Sequence, residues 1–506
     1  MSEGDSDRDL AGGTPPPWPG AGPSASDFSP IAMQGIGDPL NAYPHSMAWF
    51  RNHLYVGTTR ANLCALSVSK VKTNIDVWPV ECPKDLYDLD MRAQIHRWGG
   101  PGSDWEELSR APLITGRDGS TVPREIGLRG MTVFQGESDD EPCLYVSTYA
   151  SARGYGCNIL RTEDGRNFDP IPMPKEFGQD VLTLRLLIPF KGRLFTAPTG
   201  RSGDPNVSFA ARILESTDPA KGDWRPVNEP SFGDPKNIVV FEMLGFGDHL
   251  YAGTATLEGY QLWRSRCEGE PPYHWERVLE RGAYRGKENQ GVASLCVFNG
   301  ALYVGSGIQH GGIDVANKTG PAGPELIRVF EDGTWELLVG AERELPDGRK
   351  IAPKSGFGPG FNSFFNGYFW RMGVHNGWLY LGTFNWALMM SYSRKDGWPD
   401  LFRRFYGHLG PDGVRDKLSG AHLYRSADGE NWLPVTTDGF GSPYNYGIRA
   451  ICSTPHGVCI GTVNPFAPKV AEIDKNGQLL GYKENPRGGF ELWLGDTKEP
   501  FPISGG

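Results

Sequence analysis

The sequence predicts an all-β fold, a seven-bladed β-propeller of four-stranded antiparallel blades. Three observations carry that expectation. An apolar strand, a tight turn and a second strand reading like LYVGT recur seven times in 506 residues, ending at Thr58, Thr148, Thr199, Thr254, Ser306, Thr383 and Thr462. Behind each copy, with the exception noted below for the last, comes a further pair of strand-like segments joined by a short turn. The chain also holds Gly 68 and Pro 41, which together exceed a fifth of its residues. Helices tolerate that composition badly, whereas aromatics at 12% suit stacked sheets. A lone four-stranded sheet with two apolar faces cannot stay folded in water. Stacking seven of them around an axis buries both faces.

The elements follow in chain order. Residues 1–26 are rich in Pro, Gly, Ser and Asp and are expected to be a disordered tail, leaving 27–506 as one propeller domain. FSPIAMQGIG, from Phe28, matches WLPVTTDGFG, from Trp432, so the stretch 28–33 reads as the outer strand of the last blade. Blade one pairs HSMAWFRNHLYVGT with QIHRWGGPGSDWEEL, and blade two pairs RGMTVF and CLYVST with NILRTEDGRNFDPI. Blades three, four and five repeat the plan at close spacing. Blade six carries an insertion at about 384–421 before HLYRSADGENWLPV, and blade seven one at about 463–489 before FELWLGD. Blade seven then lacks a fourth strand of its own, which the N-terminal stretch supplies, so no edge is left open.

The turn Ser426-Ala-Asp-Gly-Glu-Asn-Trp432 resembles the Asp-box turn of sialidases and related propellers. Thr162–Phe168 is a second copy. Ser216, Asp218 and Trp224 make a looser third, and Asp332, Gly333 and Trp335 a fourth. The resemblance implies a structural turn on the side away from the active site. There the Asp accepts backbone N–H groups and the aromatic packs between blades. It also brings two kinds of activity into view. One is sialidase-like glycoside hydrolysis with an Arg cluster and a Tyr–Glu pair. The other is the lyase, cyclase or alkylating chemistry of other propellers in specialised metabolism.

Superposing the copies separates scaffold from site. The third-strand Arg recurs as Arg97, Arg161, Arg264, Arg328 and Arg425, and an Asn entering the inner strand recurs as Asn41, Asn237, Asn289, Asn366 and Asn445. Both sets read as structural. The inner-strand position five residues before the Phe50 equivalent varies instead: His45, Arg129, Arg185, Phe241, Ala293, Trp370 and Arg449. Glu242 and Arg371 follow one residue later, and a one-residue offset in those two strands is expected to bring them to the same level. Four guanidiniums at one mouth of the pore would repel unless an anion, carboxylates or water intervened, and Arg forks suit carboxylate or phosphate. The loops of that face add Arg153, Tyr155, Arg201, Asp204, Glu258, Tyr260, His310 and Asp314. The blade-six insertion offers Trp386, Met389, Met390 and Tyr392 as an apolar lid, with WPDLFRRFYGHL as a short amphipathic helix.

A net charge of −10 argues against nucleic acid or an anionic membrane as partner. No apolar run approaches membrane-spanning length, and the acidic start lacks the features of a signal peptide, so a cytoplasmic setting is expected. The eight Cys show no CxxC pair and are expected to be free thiols, with Cys452 and Cys459 beside one hairpin as the exception to test. No P-loop, Rossmann, HExxH, GxSxG or EF-hand pattern occurs. No cofactor is predicted, although room for a divalent ion in the pore stays open. The reading is a small-molecule enzyme of lyase, cyclase or transferase type with an anionic or polyoxygenated substrate. Arg129, Arg185, Arg371 and Arg449 would bind it, helped by Trp370, His310 and Trp386. His45, Glu242 and Tyr446 would be catalytic. The alternatives are a non-catalytic ligand- or glycan-binding propeller, a sialidase-like hydrolase and a protein-interaction scaffold.

Overall fold

A computed structural model describes residues 22–173, 181–200, 204, 206–208 and 210–495. Strand pairing sorts the chain into four-stranded antiparallel units of the expected order. Asn41–Phe50, His53–Arg60, Gln94–Trp98 and Trp105–Arg110 form the first. Glu125–Phe134, Cys143–Ala150, Ile159–Thr162 and Asp169–Pro170 form the second. The third is shorter: Ile188–Phe190, Arg193–Thr196, Leu214–Ser216 and Arg225–Pro226. Three more units follow, with inner strands Val239–Phe246, Gly291–Phe298 and Asn366–His375. The last unit runs Gly447–Thr454, Gly457–Val463, Leu492–Gly495 and then Phe28–Ala32. The inner strands neighbour one another in sequence, and the last packs on the first, so the ring closes as a β-propeller. Closure through the N-terminus is as expected, with Phe28 opposite Gly495. Of the stretch 1–26, residues 1–21 lie outside the described residues; Ala25–Asp27 form one short 3-10 turn, so the end of that stretch is ordered.

The repeated residues explain how each blade holds its shape. Asn41 donates to the Gly35 carbonyl at 2.9 Å and to Gln94 Oε1 at 2.6 Å. Asn237, Asn289 and Asn445 do the same toward Ser231, Gly282 and Gly439 and toward Gln261, Glu325 and Glu491. Each Asn thereby ties the loop entering the blade to the start of the third strand. Arg97, Arg161, Arg264 and Arg328 pair with Glu106, Asp139, Glu276 and Glu336. Arg264 also reaches the Glu331 carbonyl of the next blade at 2.8 Å. The Asp boxes are turn locks. Asp428 Oδ1 accepts from the Glu430 and Asn431 amides at 2.8 Å, and Asp164 Oδ1 accepts from Arg166 and Asn167 at 2.7 and 2.9 Å. Gly165 sits at φ 71°, and a Cβ there would lie 2.3 Å from the Tyr55 hydroxyl of the preceding blade. Only glycine allows that approach.

The insertions build a second core above one end of the channel. The blade-six insertion forms Ala387–Tyr392 and a longer helical stretch, Asp400–Leu418, broken at Gly410 before Pro411. The expected short helix is therefore extended by a further segment. Leu388, Met390, Tyr392, Tyr406 and Val414 from this insertion pack with Leu63, Val80, Leu86 and Met91 from blade one and Val470 from blade seven. Bridges Ile75 to Ser393 and Val80 to Val470 join the three insertions. The blade-one segment has no strand pattern, so its part in the roof was illegible. Cys64 and Cys82 are bonded across its base. That corrects the expectation of free thiols for this pair. Cys452 and Cys459 face each other across their hairpin and stay free. No helix among the described residues is long and apolar enough to cross a membrane.

Candidate functional site

Six of the seven inner strands, all but that of blade three, change register at the same level. The shifts fall between Pro44 and Ser46, Leu128 and Gly130, Val240 and Glu242, Val292 and Ser294, Phe369 and Arg371, and Ile448 and Ala450. The extra residue is His45, Arg129, Phe241, Ala293, Trp370 or Arg449. In blade three, Arg185 falls in the gap between Thr183–Leu184 and Ile188–Phe190. A bulge leaves one residue outside the ladder and re-aims its side chain. All seven residues line a single cavity of about 270 Å³ under the roof. The variable position found by superposing the copies is thus the bulge itself.

This corrects the expected offset for Glu242 and Arg371. Phe241 and Trp370, not the charged residues after them, take the bulge position. Glu242 and Arg371 instead face each other at 3.7 Å, and neither is among the residues lining the cavity. Arg371 Nε donates to the Arg449 carbonyl at 3.2 Å. From behind the lining, the Glu242 carboxylate also acts on Arg129, Arg185 and Arg449 and partly opposes the lowering of their pKa.

The other candidates divide. Arg129, Arg185 and Arg449 are buried, at 8%, 7% and 4% exposure. Arg185 Nη1 donates to Asn206 Oδ1 at 2.9 Å, and its guanidinium lies 4.0 Å from the centroid of the Phe241 ring. Arg129 lies over Tyr149 at 5.9 Å. Arg449 Nη1 has no hydrogen-bond acceptor among the described residues. Burial, reinforced by the neighbouring guanidiniums, holds Arg185 well below its ordinary pKa and Arg449 down at about 9. Burial also lowers Arg129. His45 Nδ1 shares a proton with Thr59 Oγ1 at 2.7 Å. Burial, then Arg449, Arg129, Arg185 and Arg371, push its pKa well below the usual imidazole value, so it is neutral.

Tyr446 does not meet Glu242, which corrects the imagined proton-sharing pair. Its hydroxyl lies 3.0 Å from that of Tyr43, and burial raises both phenols above their ordinary pKa. Both therefore stay protonated as hydrogen-bond donors. His310 lines the cavity and contacts Asp204 at 3.3 Å. Trp370 meets Tyr43, Tyr368 and Phe384 edge-on. Trp386 and Met389 come from the lid, as expected, while Met390 and Tyr392 pack into the roof. Arg153 turns away to Asp85 at 2.9 Å, Glu258 pairs with Lys236, and Tyr260 is core. Arg201 lies outside the described residues.

Sequence reasoning missed the opposite wall. Leu63, Leu66, Val71 and Ile75 of the blade-one insertion also line the cavity, together with Lys72. Among the described lining residues there is no Asp or Glu. No group of three or more His, Cys, Asp or Glu gathers in metal-holding geometry among the described residues.

No protein-family model matches the chain, and no curated protein does. Solved structures resemble it weakly. An ancestral GH74 enzyme shares 11% identity over 90% of this chain and 48% of its own, at TM-score 0.47. A puromycin-hydrolyzing peptidase of Mycobacterium tuberculosis shares 11% over 90% and 56%, at 0.42. The chain thus spans about half the length of these two. An α-L-arabinanase of Penicillium chrysogenum complexed with arabinobiose shares 12% over 72% and 93%, at 0.37.

Proposed function

We propose that the protein binds a small organic anion in the roofed channel and acts on it as an enzyme of the lyase, cyclase or transferase type. One observation carries this reading: two bulges, at Arg129 and Arg449, and the strand gap at Arg185 bring three buried guanidiniums to a cavity whose described lining has no carboxylate. Withdrawing such ions from water costs several kcal/mol each, and like charges at short range add repulsion. An anionic ligand offsets both. Arg129, Arg185 and Arg449 hold its oxygens, with Arg449 Nη1 as the donor the protein leaves uncommitted.

His45 would carry the proton. In the ligand-free site it is a weak base because the guanidiniums oppose its charge. A bound anion cancels part of that field and raises its basicity, so proton removal is coupled to binding. Nδ1 is engaged by Thr59, which makes Nε2 the nitrogen for the ligand. Of the Tyr43–Tyr446 pair, one O–H is donated to the other hydroxyl and the second is left as a neutral donor for an oxygen that gains charge. Glu242 drops out of the acid–base role because it faces Arg371 outside the cavity lining.

A glycoside hydrolase of the two-carboxylate kind is disfavoured by the same observation, because the described lining offers no carboxylate. The sialidase-like alternative, which needs a Tyr–Glu pair instead, is disfavoured because Tyr446 meets Tyr43 while Glu242 faces Arg371. The experiment is thermal melting with phosphate, sulfate and acetate. Wild type should be stabilised by at least one, and Arg449→Met should lose that response while melting no lower than wild type without ligand. A ligand-independent loss of stability with the response intact would refute the site.

A further inference from the structure

We infer that the ligand is a flat aromatic or polyene anion lying across the channel, its anionic group on blades seven, one, two and three and its apolar body in a recess on blade five. This rests on the anion site proposed above and adds the other half of the molecule. The six bulge residues and Arg185 are not scattered around the ring. Arg449, His45, Arg129 and Arg185 occupy four consecutive blades across the closure, and Phe241, Ala293 and Trp370 occupy the remaining three. At the level of these seven positions the channel therefore has three guanidiniums and a neutral imidazole along one half and apolar side chains along the other.

The strands of the middle blade give the smallest residues of the lining. Blade five offers Gly291, Ala293 and Gly307 from its strands, Gly291 and Gly307 being cross-strand partners, while its loop adds Gln309, His310 and Ile313 above them. Large rings flank it, with Phe241 on one side and Trp370 and Tyr368 on the other. The small residues are not filled in by their neighbours' needs alone. A Cβ on Gly307 would lie 2.4 Å from the Tyr368 ring, which explains that glycine by packing. Ala293, in contrast, sits where every other blade places a large side chain. The result is a recess bounded by aromatic faces and edges, which suits a planar body. A cavity of roughly 150 Å³ accepts one benzene ring, so about 270 Å³ admits one or two fused rings with an anionic substituent.

The test compares short and ring-bearing anions: acetate against 2-naphthoate, and inorganic phosphate against phenyl phosphate. Affinities are read by calorimetry on the full chain. Wild type should bind each ring-bearing anion at least tenfold tighter than its short counterpart, and whichever pair binds tighter decides between carboxylate and phosphate. Ala293→Met should remove that tenfold preference and leave the short anion's affinity within about twofold. Ala293→Gly, which keeps the recess open, should retain the preference and guards against a folding artefact. Equal affinity for short and ring-bearing anions in wild type, or a preference that survives Ala293→Met, would overturn the recess while sparing the anion site. No binding of any of the four would overturn the anion site itself.

Discussion

At the scale of single residues, charge and burial act against each other in the channel. His45 gives a pH prediction with a definite sign. Its folded pKa lies well below the unfolded imidazole value of 6.5. The unfolded chain therefore takes up a proton as pH falls through about 6.5 while the folded chain does not. Stability is full above that pH and is lost on acidification. His45→Gln should lose less melting temperature than wild type between about pH 7 and 5, and a bound anion should narrow the gap by raising the folded pKa. His96 and His422, held near 4 by burial, titrate alike in both proteins and cancel in the comparison. Identical acid limbs would mean that His45 is not buried among guanidiniums. Away from the channel, Trp432 is 3% exposed and donates to the Gly429 carbonyl at 3.1 Å. Trp432→Ala should cost about 3–5 kcal/mol in denaturant unfolding with anion binding retained. A stable variant that no longer binds would reverse the assignment of the two faces.

At the scale of elements, two attachments matter most. The strand Phe28–Ala32 closes the ring on Leu492–Gly495. Phe28 is buried and lies 5.6 Å from the ring of Phe440. Phe28→Ala should destabilise by about 3–5 kcal/mol, and removing residues through Ala32 should expose the edge and cause aggregation, visible by light scattering. A truncated chain that stays monomeric with an unchanged melting temperature would refute closure. The blade-one roof segment is held by the bond between Cys64 and Cys82, 18 residues apart. Closing a loop of that size contributes about 3 kcal/mol in the chain-entropy account. The double variant Cys64→Ser/Cys82→Ser should open residues 61–90 to proteolysis before the blades. Cleavage no faster than in wild type would show that the apolar roof holds without the bond.

At the scale of the whole molecule, the proposed anion would link binding to folding, because it would bridge Arg129 and Arg449, which lie far apart in the chain. An anion at a hundred times its dissociation constant should stabilise the fold by about 2.7 kcal/mol, measurable as a rise in the melting transition. A bound anion without that rise would place it off the folded cavity. How much of this was legible follows from chain distance. The strand-turn-strand phrases, the Asp boxes and the closing strand are local patterns, because alternation, turn chemistry and repeat spacing are set by neighbours along the chain. The variable inner-strand position was legible too, since seven aligned copies expose what differs. Three things were not. The bulge decides whether residue 241 or 242 faces the channel, and that depends on pairing with the next strand. The roof depends on Leu63, Met390 and Val470 meeting across hundreds of residues. The partner of Tyr446 is Tyr43, 403 positions away. The sequence by itself determined the blades, because strand alternation and turn chemistry are set by near neighbours and seven repeats make the pattern visible, even though the apolar faces are buried only by the next blade. Only the tertiary structure decided the site, because ring closure sets which buried charges share one low-dielectric space and which find a partner outside it.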